Sequence, residues 1–438
     1  MNVFFNTFGC KTNQYDSALL GQALEESGFT LTDSPDSADW VVVNTCAVTK
    51  RGEDKACQWV RRIGREHPEA RIAVVGCSVE VSAARFAELA GVSLLLGTEE
   101  KFRLGEALAE FEKNGGESRA GPRQASGLVR RLGRYSHKSL LYAHRNHSRA
   151  FVKIQDGCNN HCTYCIVPFV RGASRSRPLE QVIAEIRALE AGGHREVVLT
   201  GIHIGRYGLD LPQPLTLSAL VQKLLDATGE VRIRLSSLEV GEIDEQLVEM
   251  LSSGQRLCRH LHIPLQHGSR TVLERMGRTY GPAEFRATVE RITGSMPGLG
   301  LGTDLIVGFP GETESEFEEC HDLVDSLPFT YLHVFPFSPR PGTGAAGMDN
   351  RLTKTELRRR VGIMRELSNS KKEGFLRSLA GQTLSVVGES ELASGVSICR
   401  ADNYARVYYQ GKSPGRIFDL VAGQPWRDGV WAAIPDGA

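Results

Sequence analysis

Cys158-Asn-Asn-His-Cys162-Thr-Tyr-Cys165 is the stretch on which the fold and chemistry of this 438-residue chain turn. It follows an apolar run, Phe151–Gln155, that reads as a strand, and Gly157 marks the turn into a loop. A short loop can aim three thiolates inward at one metal. A structural zinc site needs four ligands and usually pairs its cysteines. No second pair is present, and His161 beside Cys162 is awkwardly placed to join the same site. Three thiolates instead suit a four-iron cluster whose fourth iron stays open to a small ligand.

Downstream of this loop, β-rich segments recur at the spacing of βα units, roughly 30 to 45 residues. They are Phe151–Gln155, Glu196–Thr200, Val231–Leu235, His260–Pro264, Gly300–Val307 and Tyr331–Pro336, with helical patterns such as Leu179–Ala191, Leu217–Ala227 and Glu314–Leu327 between them. Six such units predict a partial barrel rather than the closed form of eight. A helix is expected from about Lys354, with Leu357, Val361, Met364 and Leu367 on one face. From Gly381 onward, short apolar stretches (Thr383–Val387, Tyr404–Tyr409, Arg416–Val421 and Val430–Ile434) are punctuated by Gly, Pro and Asn, which predicts a small β-barrel.

Upstream, strands Val3–Phe8, Trp40–Thr45 and Arg71–Gly76 alternate with helices at Ser17–Ser27, Asp54–Arg65 and from Ser82. That is the pattern of an open parallel α/β sheet. Cys10, Cys46 and Cys77 each follow one of the strands. The carboxyl ends of parallel strands lie along one edge, where open α/β folds bind ligands, so three thiolates can meet there. The expected class is α/β: an open parallel domain at 1–112, a basic linker at 113–147, a partial (β/α)6 barrel at 148–378 and a small β-barrel at 379–438.

The Cys158 motif resembles the signature of the radical S-adenosylmethionine (SAM) superfamily. Leu199-Thr-Gly201, Arg234-Leu-Ser-Ser237 and Gly302-Thr-Asp-Leu-Ile-Val-Gly-Phe-Pro-Gly-Glu312 are also similar to that superfamily's later strands, although Gly-Gly-Glu is lacking after the second strand and Glu312 falls one residue late. Within it, the whole chain resembles the methylthiotransferases, which precede the radical SAM barrel with a three-cysteine domain and follow it with a β-barrel called TRAM. The matching pieces are Phe8-Gly-Cys-Lys-Thr-Asn-Gln-Tyr-Asp16, Asn44-Thr-Cys-Ala-Val-Thr49, Val75-Gly-Cys77, Gln155-Asp-Gly-Cys158, His262-Ile-Pro-Leu-Gln266 and Tyr331-Leu-His-Val-Phe-Pro-Phe-Ser-Pro-Arg-Pro-Gly342.

The resemblance implies two [4Fe-4S] clusters, one on Cys158, Cys162 and Cys165 and an auxiliary one on Cys10, Cys46 and Cys77. It implies SAM contacts at Tyr164, Gly201, Ser236, Gln266 and Asp304. One SAM methylates a sulfur on the auxiliary cluster; a second yields the radical that removes hydrogen from an unactivated carbon. Three sibling groups act on isopentenyladenosine in tRNA, threonylcarbamoyladenosine in tRNA, and a ribosomal-protein aspartate. Asn-Thr-Cys-Ala-Val-Thr and Phe-Ser-Pro-Arg-Pro-Gly-Thr look most like the threonylcarbamoyladenosine group, whose carboxylate-bearing substrate calls for a cation, with Arg340 as the expected one. Implied partners are a tRNA anticodon stem-loop and an external electron donor such as flavodoxin or ferredoxin; the sulfur donor is left open. A non-catalytic RNA-binding iron–sulfur redox sensor is the reading from another class.

Composition narrows the field. Lys plus Arg and Asp plus Glu both number 52, so a generally basic nucleic-acid coat is excluded while a local patch is not. Such a patch is expected at Lys113–Arg149, where nine basic residues face only Glu117; with Arg130, Arg131 and Arg134 it reads as a strap for stem phosphates. The segment Arg171-Gly-Ala-Ser-Arg-Ser-Arg177 reads either as a second phosphate contact or as a solvated helix start. Gly298–Gly302 reads as a turn, because no Lys-Ser/Thr follows it. Cys57, Cys258, Cys320 and Cys399 lack partners at ligand spacing and read as packing thiols. No apolar run reaches the roughly 18 residues of a membrane span. The start, MNVFFNTFGCKTNQ, lacks the pattern of a signal peptide, so a cytoplasmic protein is expected.

Overall fold

Runs of Val, Ile and Leu too apolar for any exposed face dictate the interior of the first unit. The computed structural model describes residues 1–114, 140–142, 148–254 and 256–435, in two compact units. The linker expectation, with Arg130, Arg131 and Arg134, lies outside the described residues.

The first unit comprises Met1–Leu141, Asp156–Arg175 and Ser338–Ala346. Its strands are β1 (Asn2–Thr7), β2 (Thr30–Thr32), β3 (Trp40–Thr45), β4 (Arg71–Gly76) and β5 (Val92–Leu96). They form one parallel sheet in the order β2-β1-β3-β4-β5. Because strand side chains alternate, Val41 and Val43 face a core with Val60, Ile63, Ile72, Val74 and Phe86. Trp40 and Val42 face the opposite core with Val3, Leu20, Leu24, Leu104 and Leu108. Helices therefore cover both faces, and each fully buried Val or Leu contributes about 1.5–3 kcal/mol of hydrophobic stabilisation. The helix expected at Ser17–Ser27 begins at Lys11, directly after Cys10, and the one expected at Asp54–Arg65 spans Lys50–Glu66.

The second unit comprises Tyr142–Gln155, Ser176–Phe337 and Gly347–Ala438. Strands Arg149–Lys153, Glu196–Thr200 and Arg232–Leu235 form a parallel sheet with Glu196–Thr200 in the middle. His260–His262, Gly300–Val307 and Tyr331–Pro336 form another, centred on Gly300–Val307. Parallel bridges Ile233–Leu257 and Ser237–His262 join the two, giving the expected six-stranded partial barrel. The helix expected from Lys354 runs from Lys354 to Ser378. Beyond it, Thr383–Glu391, Val396–Ala401, Arg406–Gln410, Gly429–Ala433 and Phe418–Trp426 close into a five-stranded barrel in that order.

A buried charge cluster fastens that small barrel to the larger one. Burial alone would push the Glu196 carboxyl up, but Arg234, Arg232 and Arg149 hold it well below the usual range. Arg232 donates onward to the carbonyls of Ser385 (2.9 Å) and Arg400 (2.8 Å), and Arg234 to those of Ala401 and Asp402 (both 2.9 Å). Gly300 has no room for a side chain, since a Cβ there would lie 1.9 Å from the carbonyl oxygen of Asn403.

Candidate metal centre

Each cysteine of the N-terminal set occupies the carboxyl end of a strand. Cys10 follows β1 and caps helix Lys11–Glu26, Cys46 follows β3 directly, and Cys77 follows β4 and opens helix Cys77–Ala87. The turn carrying Cys10 runs against Cys46: Gly9, at φ +114°, would place a Cβ 2.5 Å from that of Cys46. Only glycine fits there. Burial, and then the neighbouring Cys10 and Cys77, push the Cys46 thiol up to about 12. Cys46 thus feels both other thiols, and the three form no disulfide.

Polar side chains hold this edge in place. Asn13 donates through Nδ2 to the carbonyls of Phe8 (3.0 Å) and Thr45 (2.9 Å), tying together the turns that present Cys10 and Cys46. Asn44 donates to the Asn13 carbonyl and the Ser17 hydroxyl, both at 3.0 Å, and Ser78 donates to the Cys46 carbonyl at 2.8 Å. Behind them is the buried guanidinium of Arg171. It donates to Asn13 Oδ1 at 2.6 Å and to both oxygens of Asp156 at 3.0 Å. Burial opposes its charge, but Asp156, Cys77, Asp16 and Cys10 hold it as a cation. Lys101 and Asp16, both fully buried, pair at 2.6 Å beside it.

The second set belongs to the same unit. Cys158, Cys162 and Cys165 are all half-buried, in the loop that follows Asp156. Gly157 has φ +73° and a Cβ there would lie 2.0 Å from the Ala173 carbonyl oxygen, so the loop requires glycine at that point. The Cys158 amide donates to the Gly172 carbonyl at 3.1 Å, the Asn160 amide to Cys158 Sγ at 3.4 Å, and the Cys165 amide to the Cys162 carbonyl at 3.0 Å. Ile166 and Val170 pack with Ala47 and Cys77. Asn13, Arg171 and Asp156 thus connect the two cysteine sets through direct hydrogen bonds. Soft sulfur donors in threes, an amide donating to sulfur and a buried cation to offset thiolate charge fit iron–sulfur clusters.

Residues 2–97 match the model of Uncharacterized protein family UPF0004 and residues 152–324 that of the Radical SAM superfamily. The chain is 34% identical over 441 residues to the threonylcarbamoyladenosine tRNA methylthiotransferase MtaB of Bacillus subtilis (strain 168), covering 99% of this chain and 96% of that one. The chain belongs to the radical SAM methylthiotransferase family. This methylthiotransferase is also 32% identical to the MtaB of Thermotoga maritima over 99% of its own length and 97% of that chain. It is 30% identical to the tRNA-2-methylthio-N(6)-dimethylallyladenosine synthase of Natranaerobius thermophilus over 96% and 94% of the two chains. Its fold is like that of the radical SAM methyltransferase TsrM from Kitasatospora setae, with TM-score 0.58 and 16% identity over 79% of this chain and 75% of that one. As a radical SAM enzyme, it takes SAM and a [4Fe-4S] cluster as cofactors.

The other site residues named from the sequence divide between the units of the methylthiotransferase. Tyr164 is half-buried in the cysteine loop of the first unit. Gly201 and Ser236 directly follow strands Glu196–Thr200 and Arg232–Leu235 in the second. A Cβ on Gly201 would approach the Gln155 carbonyl oxygen to 2.8 Å. Gln266 holds φ +66°, an unusual conformation for a side-chain-bearing residue. Its amide donates to the Asp304 carbonyl and its carbonyl accepts from the Ile306 amide, both at 2.8 Å. Asp304 lies inside strand Gly300–Val307 rather than at its end.

Two expectations need correction. Arg340 is only 2% exposed and donates to Glu53 at 2.6 Å within the first unit, so its guanidinium is engaged in the interior instead of waiting for a substrate carboxylate. Arg171, Arg175 and Arg177 are likewise buried and paired, with Asp156, Glu99 and Glu185, and none is a phosphate contact. Cys57, Cys258, Cys320 and Cys399 are buried, as packing thiols should be. Arg171 and Asn13 were missed as supports of the cysteine edge, although Asn13 lies inside a quoted motif. Among the described residues, no helix is long and apolar enough to cross a membrane.

Proposed function

We propose that this enzyme installs a methylthio group at C2 of N6-threonylcarbamoyladenosine at position 37 of tRNA. Cys158, Cys162 and Cys165 would hold the radical-generating cluster and Cys10, Cys46 and Cys77 an auxiliary one. The observation that carries the two-cluster reading is the gathering of Cys10, Cys46 and Cys77 at one sheet edge, against the buried guanidinium that also reaches the Cys158 loop. When bound, the two centres supply an electron for reductive cleavage of SAM and a sulfur for transfer.

The protein's own residues provide the frame. Asn13 fixes the turns of Cys10 and Cys46, Gly157 permits the fold of the Cys158 loop, and the buried Arg171 sets a positive charge beside the N-terminal thiols. Tyr164, Gly201, Ser236 and Gln266 are the proposed SAM contacts. The proposed partners are an anticodon stem-loop, whose unpaired bases can be splayed out for reading, and an external one-electron donor such as flavodoxin or ferredoxin. The proposed domain limits remain 1–112, 113–147, 148–378 and 379–438. Relatives named for threonylcarbamoyladenosine are 32–34% identical and favour that substrate over dimethylallyladenosine, whose relatives are 30–32% identical.

Two measurements test the reading. Iron and sulfide after anaerobic reconstitution should be about eight each per chain, falling to about four in a Cys10/Cys46/Cys77→Ala variant. About four irons in both proteins would overturn the auxiliary cluster. Nucleoside mass spectrometry after turnover should find the methylthio product from threonylcarbamoyladenosine-containing tRNA. Product only from the isopentenyl substrate would overturn the substrate assignment.

A further inference from the structure

A third set of side chains able to ligate a metal belongs to the second unit, whereas all six of those cysteines belong to the first. His262 ends strand His260–His262, Asp304 lies in Gly300–Val307 and His333 in Tyr331–Pro336. The register pairs His262 with Gly302, and Asp304 with His333, which puts the three side chains on one face of the sheet. Gly302 leaves the space that Tyr331 fills, since a Cβ there would lie 2.0 Å from the Tyr331 ring.

His262 Nε2 and His333 Nδ1 each lie 3.0 Å from the same oxygen, Asp304 Oδ1. One ligand atom from each residue falls within 4.8 Å of the others. Bonds of about 2.0–2.1 Å to a tetrahedral ion separate its ligand atoms by about 3.4 Å, so these three need only small shifts to share one. Metal-bound histidines have their second ring nitrogen fixed by an outer partner. Here His262 Nδ1 meets the Tyr331 hydroxyl at 3.1 Å, and that hydroxyl meets His260 Nε2 at 2.9 Å. His262 is buried, Asp304 partly so and His333 54% exposed, so one side of the cluster is open. Two imidazoles and a single carboxylate are the wrong donors for magnesium or calcium, which want mostly oxygen, and the right ones for zinc or iron(II).

We propose that His262, Asp304 and His333 form a mononuclear site for a divalent first-row transition cation, with its open side available to water or an oxyanion ligand. This assignment replaces the expectation that Asp304 contacts SAM, and it stands whether or not the tRNA substrate is the one proposed above.

The test uses the reconstituted holoenzyme, in which the proposed cluster cysteines are occupied, equilibrated with zinc(II), desalted and analysed by mass spectrometry for zinc, iron and sulfide. Wild type should retain about one zinc per chain. His333→Ala and Asp304→Asn should bind at least tenfold more weakly with iron and sulfide unchanged, and His333→Cys, which keeps a ligand, should restore retention. His333 is exposed, so its replacement leaves the fold intact, as a thermal melt would verify. Wild type without retained zinc, or zinc equally retained by His333→Ala, would mean a metal-free His–Asp–His hydrogen-bond network and overturn the proposal.

Discussion

Replacing Arg340 with alanine separates a structural role from a substrate-binding one. Its Nη2 lies 2.6 Å from Glu53 Oε2, and the Glu53 side chain is 1% exposed. Burial would raise the Glu53 carboxyl, but hydrogen bonds from Arg340, Arg85 and Lys50 bring it down to about 2 from 4.5. At 1.36 kcal/mol per pKa unit, that depression represents roughly 3 kcal/mol shared among the three cations. Removing one partner of a buried pair leaves a charge uncompensated and costs about 3–5 kcal/mol, an upper figure here because Arg85 remains at 2.7 Å. The sign follows from the depressed carboxyl. The stabilisation is complete above the unfolded value of 4.5 and fades as the pH falls toward 2. Urea unfolding of Arg340→Ala should therefore show a loss of about 2–4 kcal/mol at pH 7 that shrinks below pH 4. Glu53→Gln should be less stable and show a flatter pH profile, and the double variant should lose less than the sum of the singles. Unchanged stability, together with a raised KM for modified tRNA, would refute this reasoning and return Arg340 to the substrate.

Gly157→Ala should drive a methyl into the Ala173 carbonyl and cost about four irons per chain after reconstitution, read by iron and sulfide analysis. Arg171→Met should leave Asp156 and Asp16 without their shared cation and lower the iron content after reconstitution, while Arg171→Lys, which cannot form the same fork, should recover only part. Glu196→Gln should loosen the hold of Arg232 and Arg234, destabilising the second unit by about 3 kcal/mol and exposing its C-terminal barrel to limited proteolysis. Intact protein surviving protease at the wild-type rate would count against that last expectation.

Strands that are continuous apolar runs were legible to the residue: Trp40–Thr45, Arg71–Gly76, Glu196–Thr200, Gly300–Val307 and Tyr331–Pro336. The sequence reading missed strands of another kind. Thr30–Thr32 is a three-residue edge strand, Val92–Leu96 hides after a helical pattern, and Val396–Ala401 is broken up by Ser397 and Arg400. The first turns of helix Lys11–Glu26 were illegible for a reason of composition. Thr12, Asn13, Asp16 and Ser17 are polar yet buried, which breaks the apolar periodicity on which helix recognition depends. The strand-end positions of Cys10, Cys46 and Cys77 were legible because position relative to an apolar run is local. The charges behind them were not. Arg171 meets Asn13 across 158 residues of sequence, and an Arg-rich segment reads as a phosphate contact until its distant carboxylates are in view.

The same buried guanidinium gives the two cysteine sets a common support. Arg171 touches Asp156, two residues before Cys158, and Asn13, three residues after Cys10, and it compensates Cys77 as well. A cation in water contributes little to such an arrangement, because solvent screens it. At 2% side-chain exposure it acts at a low effective dielectric, where the geometry of its partners decides its worth. The Cys10 turn and the Cys158 loop therefore cannot shift independently without breaking a hydrogen bond from Arg171 to Asn13 or to Asp156. In the proposed two-cluster reading, the radical source and the sulfur source must stay in register over a single carbon atom. The Asn13–Arg171–Asp156 connection is a rigid, charge-balanced means of doing so, built from residues that touch neither SAM nor substrate in the proposed assignment.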